Sequence, residues 1–170
     1  MKTCGELRSE GTVAVVGAGP AGAMVAKLLH QHGFNVRVYE SDAAIDARPQ
    51  GGSLDLRPDS GQRAIDAAGL SETFAGLSRD DAKAFRMVDS QGNDMPGAGE
   101  ETHENAGPEI DRADLRAMLV EALPDGNVDW GQRVTAVMRA DDDRWQLEIA
   151  GHAPVIADLV IGADGIGSWT

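Results

Sequence analysis

Apolar and polar positions follow two rhythms along this chain, and those rhythms mark out its elements. Thr12 to Val16 is a short, valine-rich apolar run, followed at once by Gly17-Ala18-Gly19-Pro20-Ala21-Gly22. Such a run suits a strand or a buried helix. The glycines decide for a strand, since they favour a tight turn and continue a helix only at a cost. Ala21, Met24, Val25, Leu28 and Leu29 then recur at helical spacing and predict an amphipathic helix, opened by Pro20 and closed by Gly33. Asn35 to Tyr39 alternates, is rich in β-formers and ends at Glu40. Strand, turn, helix and strand within about thirty residues predict a βαβ unit, hence a parallel sheet with a right-handed crossover.

The rhythm then breaks. Residues 41–60 carry Arg48, Pro49, Gly51, Gly52 and Pro58, which predicts a long loop around a short strand at Ser53–Leu56. In that strand Asp55 should point away from Leu54 and Leu56. A short helix is expected from Ser60 to Gly69, with Ala64, Ile65 and Ala68 on one face. Lys83–Asp89 followed by Ser90–Asp94 predicts a hairpin, and Met95–Gly107 a flexible loop. Asp111 to Leu123 predicts a helix capped by Asp111, with Leu115, Met118, Leu119 and Ala122 as its buried stripe. Arg112 and Arg116, one turn apart, are expected to share a face. A cation in a first turn opposes the helix dipole and hints at an anionic partner, although Asp114 and Glu109 offer a local balance. Arg133–Arg139, Arg144–Ile149 and Pro154–Ala157 predict three antiparallel strands, Asp158–Ile161 a buried strand, and Gly162–Ser168 a second glycine-rich turn. The N-terminus near Cys4 is expected to fray. The fold class predicted is α/β: a Rossmann-like parallel sheet with an antiparallel three-stranded meander.

The first glycine turn carries the clearest chemistry. A GxGxxG pattern is weak by itself: with 21 glycines in 170 residues, chance supplies about 0.3 of them. Here the pattern follows a strand, opens a helix and precedes an acid, Glu40, by about 20 residues. Gly17 permits the turn, Gly19 lets a pyrophosphate approach the backbone, and Gly22 lets helix and strand pack closely. Free N–H groups at the helix start favour phosphate, and Glu40 would accept hydrogen bonds from a ribose diol. Glu40 as a plain solvated strand end is the simpler alternative, and the motif does not separate FAD from NAD.

Composition narrows the field. The net charge is -13, with 42% hydrophobic and 25% charged residues, ordinary for a globular chain but unsuited to nucleic acid or anionic membranes. One cysteine, Cys4, permits no internal disulfide. The first residues lack the apolar core of a signal peptide and no run suits a bilayer span, so the expected location is cytoplasmic. Glu100, Glu101, His103 and Glu104 fit no strong metal spacing and read as a solvated acidic loop, as does the Asp141–Asp143 hairpin tip. The four histidines are scattered and Ser168 lacks a nucleophile elbow, so no catalytic set is assigned.

The order of segments resembles the class A flavoprotein monooxygenases, with Gly162-Ala163-Asp164-Gly165-Ile166-Gly167-Ser168 similar to that family's DG motif. Ala47-Arg48-Pro49-Gln50-Gly51-Gly52-Ser53-Leu54-Asp55-Leu56 and Pro108-Glu109-Ile110-Asp111-Arg112-Ala113-Asp114-Leu115-Arg116 resemble segments of its tetracycline-inactivating branch. The resemblance implies FAD as cofactor and NADPH as reductant. Gly17, Ala18, Gly19, Ala21, Gly22 and Glu40 would hold the ADP half, and Asp55 and Arg112 would contact FAD. Arg48 would lie near the flavin and serve NADPH, while Asp164 and Gly165 would approach the pyrophosphate. The implied activity is oxygenation of an aromatic or polycyclic small molecule, a tetracycline among the options. Ser41 stands where the family often has Arg or Lys. The family also continues past the point matched by Thr170, through a substrate-binding sheet and a second flavin motif. Residues 1–170 are therefore expected to form the N-terminal part of an FAD-binding domain, truncated, with a C-terminal half as a missing partner. A non-catalytic dinucleotide-binding fragment or gene remnant is the alternative. An NAD-dependent dehydrogenase half is disfavoured by the meander.

Overall fold

The computed structural model describes residues 2–79, 88–95 and 107–165. Its elements in chain order are α1 (Cys4–Glu10), β1 (Thr12–Val16), α2 (Pro20–Gln31), β2 (Asn35–Tyr39), β3 (Ser53–Asp55), α3 (Gly61–Ala67), α4 (Ser71–Leu77), β4 (Glu109–Asp111), α5 (Arg112–Glu121), β5 (Val128–Asp129), β6 (Val134–Arg139), β7 (Trp145–Ile149), β8 (Val155–Ala157) and β9 (Leu159–Gly162). The chain divides into two compact units, one formed by residues 1–50 and 113–170, the other by residues 51–112.

The first unit is built on a parallel sheet of order β5-β2-β1-β9. β1 pairs in register with β2 from Thr12↔Asn35 to Val16↔Tyr39, and with β9 from Val13↔Leu159 to Val16↔Gly162. A parallel strand covered on both faces calls for a near-continuous apolar run, and β1 meets that demand from Val13 to Val16, with Thr12 half-buried at its start. Val13 and Val15 join Ala18, Ala26, Phe34, Val36, Val38 and Leu123 in one core. Ala14 and Val16 join Tyr39, Leu147, Ile149 and Ala157 in a second, which the antiparallel meander β6-β7-β8 supplies. The predicted βαβ unit, the three-stranded meander and the final strand are all present, but β9 is half-buried rather than buried: Leu159, Val160 and Ile161 are partly exposed and Gly162 is exposed.

Several local expectations are corrected. The N-terminal residues do not fray but form α1, held by a capping box in which the Thr3 and Glu6 side chains and backbones exchange hydrogen bonds. The buried face of α2 is Gly22, Ala23 and Ala26, while Ala21 is exposed and Met24, Val25, Leu28 and Leu29 are half-buried. Small residues line that face because the helix lies close to the sheet and its turn, and the larger ones flank the contact. β5 is two residues long, too short to leave a periodic signal.

The second unit pairs β3 with β4 antiparallel, from Ser53↔Asp111 to Asp55↔Glu109. Asp55 is exposed and the neighbouring Leu56 is buried, as alternation requires. In α3, Ile65 and Ala68 are buried beside half-buried Ala64, and Gly69 ends the helix with φ +71. Helix α4 was not foreseen, and its buried residue is Phe74. The Asp111 carboxylate, expected as a cap, is bound by the Arg79 guanidinium at 2.8 and 3.2 Å. At the predicted hairpin, Val88 bridges Asp94 and the Asp89 carboxylate accepts the Gln91 and Asn93 N–H groups. Residues 83–87 of that hairpin, the acidic loop with Glu100, Glu101, His103 and Glu104, and residues 166–168 of the second glycine turn lie outside the described residues.

Candidate functional site

The site is built where β1 gives way to α2. Gly17 adopts φ +101, which side-chain-bearing residues seldom reach, and its N–H donates to the Tyr39 carbonyl at 2.8 Å. A Cβ on Gly17 would also lie 2.5 Å from the Ala163 carbonyl oxygen, so the first glycine turn rests on the second. At Gly22 a Cβ would penetrate the Gly17 carbonyl oxygen, which is backbone and cannot yield. Gly19 differs: a Cβ there meets nothing within 4 Å. Gly19 thus has open space in front of it, at the N-cap of α2, where no side chain caps the helix and Pro20 occupies the first turn. The unsatisfied N–H groups and the dipole of this helix start make a local seat for an anion in an otherwise acidic chain.

Glu40 closes the other side. It is buried, 5% exposed, at the end of β2. Its Oε2 accepts the Ala18 N–H at 2.6 Å, and its Oε1 accepts the Asp42 N–H at 2.9 Å and the Ser41 hydroxyl at 3.1 Å. The carboxylate is therefore fixed against the glycine turn and is not a solvated strand end. Ser41 is exposed, so its hydroxyl is the donor a ligand hydroxyl would replace most readily.

Beneath this pair lies Arg116, which is 1% exposed. Its Nε donates to the Ala18 carbonyl at 2.9 Å and its Nη1 to the Ile45 carbonyl at 3.3 Å. Nη1 is also 3.0 Å from Asp42 Oδ2, and Nη2 is 3.4 Å from Glu40 Oε2 without a hydrogen bond. The guanidinium carbon sits 5.5 Å from the ring centre of Trp130. Arg112 and Arg116 lie one turn apart but in different surroundings: Arg112 is exposed at the first position of α5, and Arg116 is buried. Arg48, 62% exposed in its side chain, holds Asp42 through Nε at 3.0 and 3.1 Å. Two carboxylates and two guanidiniums thus balance around one bend of chain.

Of the residues singled out from the sequence, the first unit brings together Gly17, Ala18, Gly19, Ala21, Gly22 and Glu40, with Ala163 and Asp164 packed behind Gly17. Gly165 continues that turn with φ +81. Asp55 and Arg112 belong to the second unit. There Asp55 Oδ1 accepts the Gly107 N–H at 2.7 Å, and the Arg112 N–H donates to the Gly52 carbonyl at 3.1 Å. The residue missed as a component of the site is Arg116. Its available signal was position: Leu119 and Leu123 follow it at three and seven residues, and both are buried.

An open face at Gly19, an uncapped helix start and a carboxylate bound to the neighbouring Ala18 N–H fit the phosphate and ribose of a dinucleotide. Comparison with known proteins agrees. Over 179 residues the chain is 32% identical to Monooxygenase penA of Penicillium thymicola, covering 95% of this chain and 39% of that protein. It is 34% identical over 161 residues to the 3-amino-4-hydroxybenzoate 2-monooxygenase of Streptomyces cremeus, covering 92% and 40% respectively. Among solved structures, the tetracycline destructase Tet(51) superposes with a TM-score of 0.66 at 26% identity, over 91% of this chain and 38% of that one. The chain spans about two fifths of the length of the relatives it matches. A family model described as FAD binding domain matches residues 10–170, and on that match this chain belongs to the FAD binding domain family.

Proposed function

We propose that this chain supplies the ADP-binding part of the FAD site of an NAD(P)H-dependent monooxygenase acting on an aromatic or polycyclic small molecule. The observation that carries this reading is the Ala18 N–H bound to buried Glu40 beside the open backbone of Gly19. In this reading the N–H groups at the start of α2 take the pyrophosphate, with Gly19 giving it room. Glu40 takes the ribose hydroxyls, the incoming one displacing the Ser41 hydroxyl. Asp164 and Gly165 border the pyrophosphate from the second turn, Asp55 and Arg112 serve the flavin end, and Arg48 serves the reductant. The chemistry that FAD supplies when bound is acceptance of hydride from the nicotinamide and activation of oxygen, while the protein binds, orients and excludes water.

Residues 1–170 then correspond to the N-terminal part of the cofactor domain, and the substrate-binding sheet and the rest of that domain lie outside them. A tetracycline as substrate is supported by the likeness to Tet(51), and other aromatic substrates by relatives such as the hydroxybenzoate enzyme. A cytoplasmic location, with NADPH at hand, suits this reading. Among the described residues no helix is long and apolar enough to cross a membrane. The test is a fluorescence titration of FAD into the chain and into Glu40→Gln, which keeps the side chain's shape and removes its charge. Loss of a charge-assisted hydrogen bond should weaken binding by about tenfold or more. Equal affinity of the two proteins would remove Glu40 from the site.

A further inference from the structure

We infer that Arg116 is a positioning residue for adenosine recognition, setting the Glu40 carboxylate and the Gly17–Gly19 turn relative to one another. This inference rests on the dinucleotide reading given above. The contacts of Arg116 converge on the two parts that recognition needs. Nε holds the carbonyl of Ala18, the residue whose N–H binds Glu40, so one peptide segment is fixed from both sides. Nη2 faces Glu40 Oε2, while Nη1 holds Asp42 and the Ile45 carbonyl, which anchor the chain just after Glu40. A planar guanidinium can make these contacts at once, whereas an ammonium, a single charged point, cannot.

A buried cation is costly unless paired, and replacing a buried ion pair with apolar packing often costs nothing in stability. The network therefore calls for a reason beyond folding, and its geometry supplies one. Without Arg116 the Glu40 carboxylate keeps its backbone donors but loses the only cation within 4 Å of it among the described residues, and the Ala18 carbonyl loses its side-chain donor. The Ala18 peptide and the Asp42 segment that carry those backbone donors are then no longer tied to one another, so the carboxylate can shift with them and its aim at a ribose hydroxyl is lost before the phosphate seat at Gly19 is touched.

The experiment measures binding of ADP and of 2′-deoxy-ADP to the chain and to Arg116→Met and Arg116→Lys, with circular dichroism confirming folding. The ratio of the two affinities reports ribose recognition alone, and a general loss of stability leaves it unchanged. The wild type should prefer ADP by about tenfold, the worth of one charge-assisted hydrogen bond. Arg116→Met should bring that ratio close to one, and Arg116→Lys should restore part of it. A wild-type ratio in folded Arg116→Met overturns the inference and leaves the dinucleotide reading standing. Should Arg116→Met not fold, Arg116→Lys is decisive: a reduced ratio supports the inference and a wild-type ratio overturns it. A wild type that ignores ADP removes the dinucleotide reading and the inference with it.

Discussion

The three glycines of the first turn share one motif but face three different environments, and substitution should separate them. Gly22→Ala forces a Cβ into the Gly17 carbonyl, a backbone atom, so the turn or the helix must move. Overpacking of this kind costs roughly 1–3 kcal/mol or more, and a lowered melting temperature without ligand should show it. Gly19→Ala meets no atom and keeps φ -70, which any residue adopts. Its melting temperature should fall by no more than about 1 kcal/mol of stability allows, while its FAD affinity drops because the methyl fills the ligand's space. A Gly19→Ala protein that binds FAD like the wild type would move the phosphate seat elsewhere. These glycines and Glu40 were legible in the sequence because a tight turn, a close approach and the ribose acceptor proposed for Glu40 each demand a particular residue type at a particular spacing. Arg116 was not legible as part of the site, because a lone charge on a helix is ordinarily solvated. Its partners Ala18 and Ile45 lie 98 and 71 residues away along the chain.

Among the elements, the entry to β1 is held by a side chain from the end of the meander. The Asp158 carboxylate accepts the Thr12 N–H at 2.9 Å and pairs with the Lys2 ammonium at 3.1 Å, and its own N–H donates to the Thr12 carbonyl at 3.0 Å. Burial pushes this carboxyl upward, but the Thr12 N–H and the Lys2 charge together outweigh burial and hold it below the usual carboxylate range. A depressed value in the folded state stabilises the fold above the unfolded carboxyl's ordinary value of about 4. That stability is lost as pH falls through the folded value. Asp158→Asn should therefore melt lower than the wild type at neutral pH, with the gap closing as the pH drops below about 4. A gap of constant size across that range would show that the ionised form contributes nothing.

The helix α1 that brings Lys2 to this contact carries its own signal, the Thr3-Cys4-Gly5-Glu6 capping pattern. Polarity alone concealed it, since α1 buries no side chain. Elements with an apolar face were foreseen. The βαβ unit, α5 and the meander all have one, whereas α4 buries a single large residue, Phe74, and β5 extends over two positions, too few to establish a period.

At the scale of the molecule, the proposed function has a strongly acidic chain seat an anionic cofactor by using backbone and not side-chain charge. The only buried cation among the described residues, Arg116, is spent on Glu40 and Asp42 rather than on a ligand. Parallel strands covered by α2 on one face and the meander on the other lead into the Gly17–Gly22 turn, and both cores pass through β1. The general architecture was legible because each layer writes its own period: continuous for a strand covered twice, alternating for the meander and helical between. The division of residues 51–112 into their own unit was not, because its strands are three residues each and pair across more than fifty positions of chain. The most direct measurement is flavin retention. The chain is incubated with excess FAD and desalted, and its visible spectrum is recorded. A retained and shifted flavin band, stoichiometric with protein, is the result this account predicts. A colourless protein that is folded by circular dichroism would contradict it and favour a dinucleotide-like fold that holds no cofactor by itself.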